Sequence, residues 1–157
     1  MKKIIFSTLF LALFSSSIFA SNTNVYIGAT AGKVDSHSYT QFTLGQTTMY
    51  SFDSGILFGF GTSASYGKVN SKSVTTLELE GRVGYEFIHN LRAYAIGSGS
   101  AQFYDSHTYT GLGYGGALEY RLNHNMAIEG SIKTTKMSRS GYSYRYNTSN
   151  IGIKFGF

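Results

Sequence analysis

The chain of 157 residues contains no cysteine and no proline. Without cysteine no disulfide can staple it, so it must hold together by other means. Long apolar runs are missing as well: beyond residue 20 nothing approaches the ~20 apolar residues that a membrane-crossing helix needs. Charge is sparse, with 13 basic against 8 acidic residues and a net charge of +5. So mild a bias does not point to nucleic acid as a partner. Glycine and tyrosine, by contrast, are abundant at 19 and 13 residues.

The N-terminus departs from the rest. Met1-Lys2-Lys3, the apolar Ile4 to Phe14, the polar Ser15 to Ser17 and then Ile18-Phe19-Ala20 follow the order of a secretory signal peptide, with cleavage expected after Ala20. Its apolar core is too short to span a bilayer. The expected division is a signal peptide, 1–20, followed by one domain, 21–157, which is 137 residues long. Loss of Lys2 and Lys3 lowers the net charge from +5 to +3. Alternating strands are the remaining way for such a chain to cross a membrane.

An internal period sets the topology. The polar breaks Asp53-Ser54-Gly55, Ile88-His89-Asn90 and Asn123-His124-Asn125 recur every 35 residues. Phe52, Phe87 and Leu122 precede them, and one further period lands on Phe157. Two positions earlier stand Tyr50, Tyr85, Tyr120 and Phe155. A second repeat, Asp35 to Thr40 and Asp105 to Thr110, carries Asp-Ser turn chemistry and marks hairpin tips at the opposite end. Strands are predicted over 24–34, 38–52, 56–66, 73–87, 91–104, 108–122, 126–137 and about 145–157. Gly67 to Lys72 and Ser138 to Tyr144 are expected as longer connections. Because short turns are periplasmic and long loops extracellular in membrane barrels, both termini are assigned to the periplasmic side.

The fold class expected is all-β: an eight-stranded antiparallel up-and-down transmembrane barrel with a polar, side-chain-filled lumen. The competing architecture is a soluble barrel with an apolar ligand cavity, and the charges discriminate between them. Glu78, Glu80, Arg82, Glu86, Arg92, Glu119, Arg121, Glu129, Lys133 and Lys154 fall opposite the apolar faces, five acids and five bases. None of the remaining charges falls in the middle of an apolar face, where one would cost about 2–4 kcal/mol near a bilayer midplane. Ten balanced charges suit an enclosed space in which each needs a partner. Tyr50, Tyr85, Tyr120 and Phe155, at matching heights, form the aromatic girdle expected at the periplasmic interface. The strand from Leu91 is the least regular, with Ile96 inward and small residues outward.

Over the whole span after the signal peptide the sequence resembles the small outer-membrane β-barrels of the OmpX type and the transmembrane barrel of OmpA. Its end resembles their assembly signal, polar-x-Gly-x-x-aromatic-x-aromatic, through Asn150, Gly152, Phe155 and Phe157. The resemblance implies location in the outer membrane of a Gram-negative bacterium, handling by the outer-membrane barrel assembly machinery, and neither cofactor nor reaction. The expected loops are short for a dedicated adhesin.

Two Asp-Ser-His runs invite a hydrolase reading from Asp35, Ser36, His37, Asp105, Ser106 and His107. Consecutive residues on an extended chain point to alternate sides, so no relay forms within either run, and hairpin-tip roles account for them better. His89 and His124 are turn residues without the further ligands a metal needs. At the outer end Lys33, Lys68, Lys72, Lys136, Arg139 and Arg145 outnumber Asp35 and Asp105, leaving a surplus of +4. Such a rim suits the phosphates of lipopolysaccharide. The function expected is a monomeric structural or surface-interaction barrel without catalysis, the alternative a narrow pore for ions or small solutes.

Overall fold

The computed structural model describes residues 23–34, 37–69 and 72–156. The expected signal peptide, tip residues 35–36 and 70–71 and Phe157 lie outside the described residues. Eight strands follow one another, β1 (Thr23–Val34), β2 (His37–Ser51), β3 (Ile56–Val69), β4 (Lys72–Ile88), β5 (Leu91–Tyr104), β6 (His107–Arg121), β7 (Met126–Arg139) and β8 (Tyr142–Gly156). Each pairs antiparallel with its neighbours, and β8 returns to β1, so the sheet closes with no free edge. Closure is what an apolar-faced sheet requires in lipid, where an unpaired backbone edge has no water to bond.

The register fixes the tilt. Starting at Thr23 and stepping across the ladder through Thr48, Phe60, Gly81, Gly97, Tyr114, Thr134 and Asn147 returns the path to β1 at Lys33. Between Thr23 and Lys33 lie ten residues of stagger, which inclines the strands by roughly 40° to the barrel axis. Alternation then sorts every side chain. Phe42, Phe58, Leu79, Val83, Leu112, Leu118, Ile132 and Ile151 lie exposed on the outside. Glu80, Arg82, Glu119, Glu129 and Lys154 are buried inside.

One end of the barrel, here called proximal, carries Thr23 and Gly156, and the other, distal, carries the hairpin tips. The expected longer distal connections are replaced by strand: β3 continues to Val69, β7 to Arg139, and β8 already begins at Tyr142. Among the described residues the distal connections, 105–106 and 140–141, are two residues long, while the proximal ones span 52–55, 89–90 and 122–125. Connection length therefore does not distinguish the ends as the sequence suggested. The cause is turn chemistry. Asp105 and Ser106 have φ of 49° and 63°, Ser140 and Gly141 38° and 84°. Two successive positive φ values make the turn whose twist matches a hairpin, so the strands run on to the tip. The 35-residue period thus corresponds to one hairpin step around the wall.

Candidate functional site

Inward parity brings the charges of β4, β5, β6, β7 and β8 into one column. Arg82 is its hub: Nε donates to Glu80 Oε1 at 2.8 Å, and Nη1 and Nη2 reach the two oxygens of Glu129 at 2.5 and 3.0 Å. Such a forked contact is the strongest geometry an arginine offers a carboxylate. Lys154 Nζ joins Glu129 to Glu119, lying 2.7 Å from the latter. Towards the proximal mouth Arg92 bridges Glu119, at 3.4 Å, and Glu86, at 2.8 Å. Towards the distal end Lys133 bonds Glu78 and lies 3.4 Å from Glu80. The chain of pairs is unbroken from Glu86 to Glu78. Lys154 is 1% exposed and Glu129 2%. Charges so enclosed are tolerable only when paired.

Arg121 is the exception among the ten inward charges. Among the described residues it joins no ion pair. It lines a 230 Å³ pocket at the proximal mouth together with Arg92, Glu119 and His124.

The lumen is less uniformly polar than its charges suggest. Met49, Leu57, Tyr94, Ile96 and Ala117 form one buried apolar cluster beside the column. Lys154 and Arg82 lie 5.7 and 5.8 Å from the Tyr94 ring centre, within cation–π range. Tyr39, Val69, Val74, Met137 and Tyr146 form a second cluster near the distal strand ends, with Tyr104, Tyr109 and Tyr144 packed against it. Tyr39 and Tyr146 stack at 5.1 Å. Above the charges, aromatic and aliphatic side chains from β2 to β8 pack together in the lumen. Of this buried cluster only Val69 lies beyond a predicted strand end; Val74, Met137 and Tyr146 take inward parity within the predicted strands, and what the sequence does not show is that they meet at one height in the lumen.

The residues of the terminal signature have structural places of their own. Tyr26 on β1 donates its hydroxyl hydrogen to Asn150 Oδ1 across the seam. Its ring covers Gly28 and Gly152, neither of which has room for a β-carbon. Phe155 faces outward; Phe157 lies outside the described residues. Tyr50, Tyr85 and Tyr120 are exposed on the outer wall near the proximal end.

At the distal end the six bases separate. Lys33, Lys68, Lys136 and Arg145 lie exposed on outward positions of their strands. Lys72 Nζ instead lies 2.5 Å from Asp105 Oδ2, whose hydrogen bond and then charge raise the lysine's pKa above its ordinary value. Arg139 lies 5.9 Å from the ring centre of Tyr109. The β1–β2 and β5–β6 hairpins occupy opposite sides of the wall; of the first Asp-Ser-His run, Asp35 and Ser36 lie outside the described residues. Within the second, His107 Nδ1 lies 2.5 Å from the backbone carbonyl oxygen of Asp105, while the Asp105 carboxylate is engaged by Lys72. His89 and His124 are exposed, and among the described residues no cluster of three metal-ligating side chains occurs.

The model of the outer membrane protein beta-barrel domain family matches residues 6–157. Among solved structures the chain is similar to Neisserial surface protein A, with a TM-score of 0.59 at 14% identity, covering 87% of this chain and 96% of that one. It is equally similar to Ail, the attachment invasion locus protein of Yersinia pestis, with a TM-score of 0.59 at 13% identity, covering 88% and 100%. The outer membrane enzyme PagL follows, with a TM-score of 0.56 at 10% identity, covering 83% and 98%. At these identities the likeness is one of fold, and a fold shared with an enzyme does not decide activity. No curated protein matches the chain by sequence.

Proposed function

The chain belongs to the outer membrane protein beta-barrel domain family, and on that premise we propose that it is a plugged barrel serving a structural or surface-contact role, without catalysis. The observation that carries this reading is the continuous ion-pair column from Glu86 to Glu78, with the distal tyrosine cluster packed above it. Eight strands enclose only enough room for side chains, and here that room is taken by paired charges and rings. In this reading the proximal end is periplasmic, residues 1–20 direct export, Asn150, Gly152, Phe155 and Phe157 are read by the assembly machinery, and the monomer sits with its outer wall in lipid. Planar-bilayer recording of the refolded full-length protein tests the plug. A silent bilayer is expected, and steady single-channel conductance would overturn it.

A second reading, a narrow pore, draws on one feature of the same column. Glu80, Glu119 and Glu129 are each shared between two bases. Shared carboxylates can exchange partners without passing through an unpaired state. If they open a path, Glu129→Gln would change conductance rather than leave the membrane silent. For the enzyme reading, turnover of lipid A or peptide by the refolded protein would be required.

A further inference from the structure

The proximal mouth holds the lumen cation that the ion-pair column leaves over. Among the described residues four inward bases, Arg82, Arg92, Lys133 and Lys154, engage all five inward acids. Arg121 is the fifth base. Glu86 feels its charge, but Arg92 is the residue that bonds Glu86, at 2.8 Å. The half-buried guanidinium of Arg121 therefore keeps its forked set of N–H donors with no acid bonded to them.

The backbone around it is fixed. Arg121 N donates to Asn90 O at 2.8 Å, and Leu122 N donates to Met126 O at 2.9 Å. Asn125 N donates to Asn123 Oδ1 at 2.9 Å, and Gly156 N on β8 donates to Asn125 O at 2.8 Å. This side of the rim is thus formed before anything binds, which keeps the cost of ordering it small. The 230 Å³ pocket beside Arg121 has two kinds of lining. Met49, Leu57 and Ala127 are buried apolar side chains, whereas Ser51, Asn123 and His124 offer neutral hydrogen-bonding groups. An arginine fork, an apolar patch and neutral polar groups in one small cavity suit an organic carboxylate better than a bare ion. Glu119 lines the same pocket, so a singly charged anion fits where a phosphate dianion would be repelled.

We infer that this pocket binds the terminal carboxylate of a peptide. Arg121 takes the carboxylate through two parallel N–H donors, the last side chain lies against Met49, Leu57 and Ala127, and Ser51 and Asn123 bond the preceding amide. A volume of 230 Å³ equals about eight waters of liquid, which limits the last residue to a small one such as alanine. Capture of a chain end by its carboxylate is an established mode of peptide recognition. The same chemistry comes from two sources, a cell-wall peptide ending in D-alanine or a protein C-terminus ending in an L-residue. Only the compartment of the partner rests on the reading proposed above, in which the proximal end is periplasmic.

Isothermal titration calorimetry of the refolded full-length protein in detergent tests the site, with acetyl-D-Ala-D-Ala, acetyl-L-Ala-L-Ala, their C-terminal amides and inorganic phosphate as probes. One equivalent of a free acid is expected to bind, and its amide at least about tenfold more weakly, because the charge-assisted pair is lost. Arg121→Gln weakens binding of the acid by the same factor, and Arg121→Lys, which keeps the charge without the fork, falls between. Lys72→Gln, at the other end of the barrel, leaves binding unchanged. Tighter binding of the D-peptide assigns the source to the cell wall, and tighter binding of the L-peptide assigns it to a protein terminus; either upholds the site. Absence of binding by both acids overturns it, as does equal binding by the amides or by the Arg121→Gln protein. Displacement of the peptide by an equal concentration of inorganic phosphate removes the peptide from the inference. The mobility shift between unboiled and boiled samples reports whether each variant is folded. A folded, silent barrel indifferent to both peptides overturns this inference alone; a conducting one overturns the plug reading.

Discussion

Glycine means different things on the two faces of this wall. Inside, a β-carbon at Gly28 or Gly152 would strike the Tyr26 ring, at Gly84 the Tyr94 ring, at Gly111 the Met137 sulfur and at Gly115 the Lys133 stem. Each inward glycine named here is the floor on which a long neighbouring side chain lies. Outside, Gly81 and Gly97 have no atom within 4 Å of where a β-carbon would be, and Gly99 and Gly130 have only one each, at 4.0 Å. The interior is therefore limited by volume and the exterior is not. Inside, the protein must fill a fixed tube with charges and rings; outside, lipid fills whatever the wall leaves bare.

Substitutions on both faces break or sharpen that contrast. The largest effect is expected from Lys154→Met, which keeps the side chain's bulk but leaves Glu119 and Glu129 without their shared cation. Stability should fall by about 3–5 kcal/mol, read as a lower urea midpoint for protein refolded in lipid vesicles. Next is Leu79→Arg on the exposed outer face of β4, expected to cost about 2–4 kcal/mol in the same measurement because it places a charge in hydrocarbon. If it costs nothing in vesicles, the outer wall does not face lipid. Gly111→Ala drives a methyl group against Met137 and should destabilise by about 1–3 kcal/mol, lowering the temperature at which the gel mobility shift is lost. Gly97→Ala lies at the bottom of the scale: with open space around it and an ordinary strand backbone, it should raise stability by about 0.5 kcal/mol. A cost as large as that of Gly111→Ala would mean that the outward glycines are also a packing surface.

How much of this was legible in the sequence follows from what each signal depends on. The strands and their two faces rest on a period of two, which Ile151, Ile153 and Phe155 display without any tertiary information. The hairpin period of 35 is carried by turn residues and is equally local. The distal strand ends were not legible, because around Lys68 and Arg139 the alternation continues through polar residues and no longer contrasts with a loop. Nor were the partners within the column. Arg82 and Glu129 are 47 residues apart, and they meet through the stagger that closes the barrel, which no single strand encodes. The division of the six distal bases needed the same information: strand parity turns Lys136 and Arg145 outward, but that Lys72 on β4 meets Asp105 at the β5–β6 tip is fixed only by the pairing of neighbouring hairpins.

The position of Lys154 gives the barrel an order of events. Its ammonium belongs to β8, but the carboxylates it neutralises, Glu119 and Glu129, belong to β6 and β7. A wall assembled only as far as β7 would carry those two acids without it and would still be open at β1. Docking of β8 supplies the missing cation and, through Asn150 and Gly152, the seat for Tyr26 on the strand it must meet. Sealing the seam and neutralising the interior are thus one step. A half-zipped barrel would hold Glu119 and Glu129 by Arg92 and Arg82 alone, one cation short, and loss of the seam should unfold the molecule as a unit rather than fray it strand by strand.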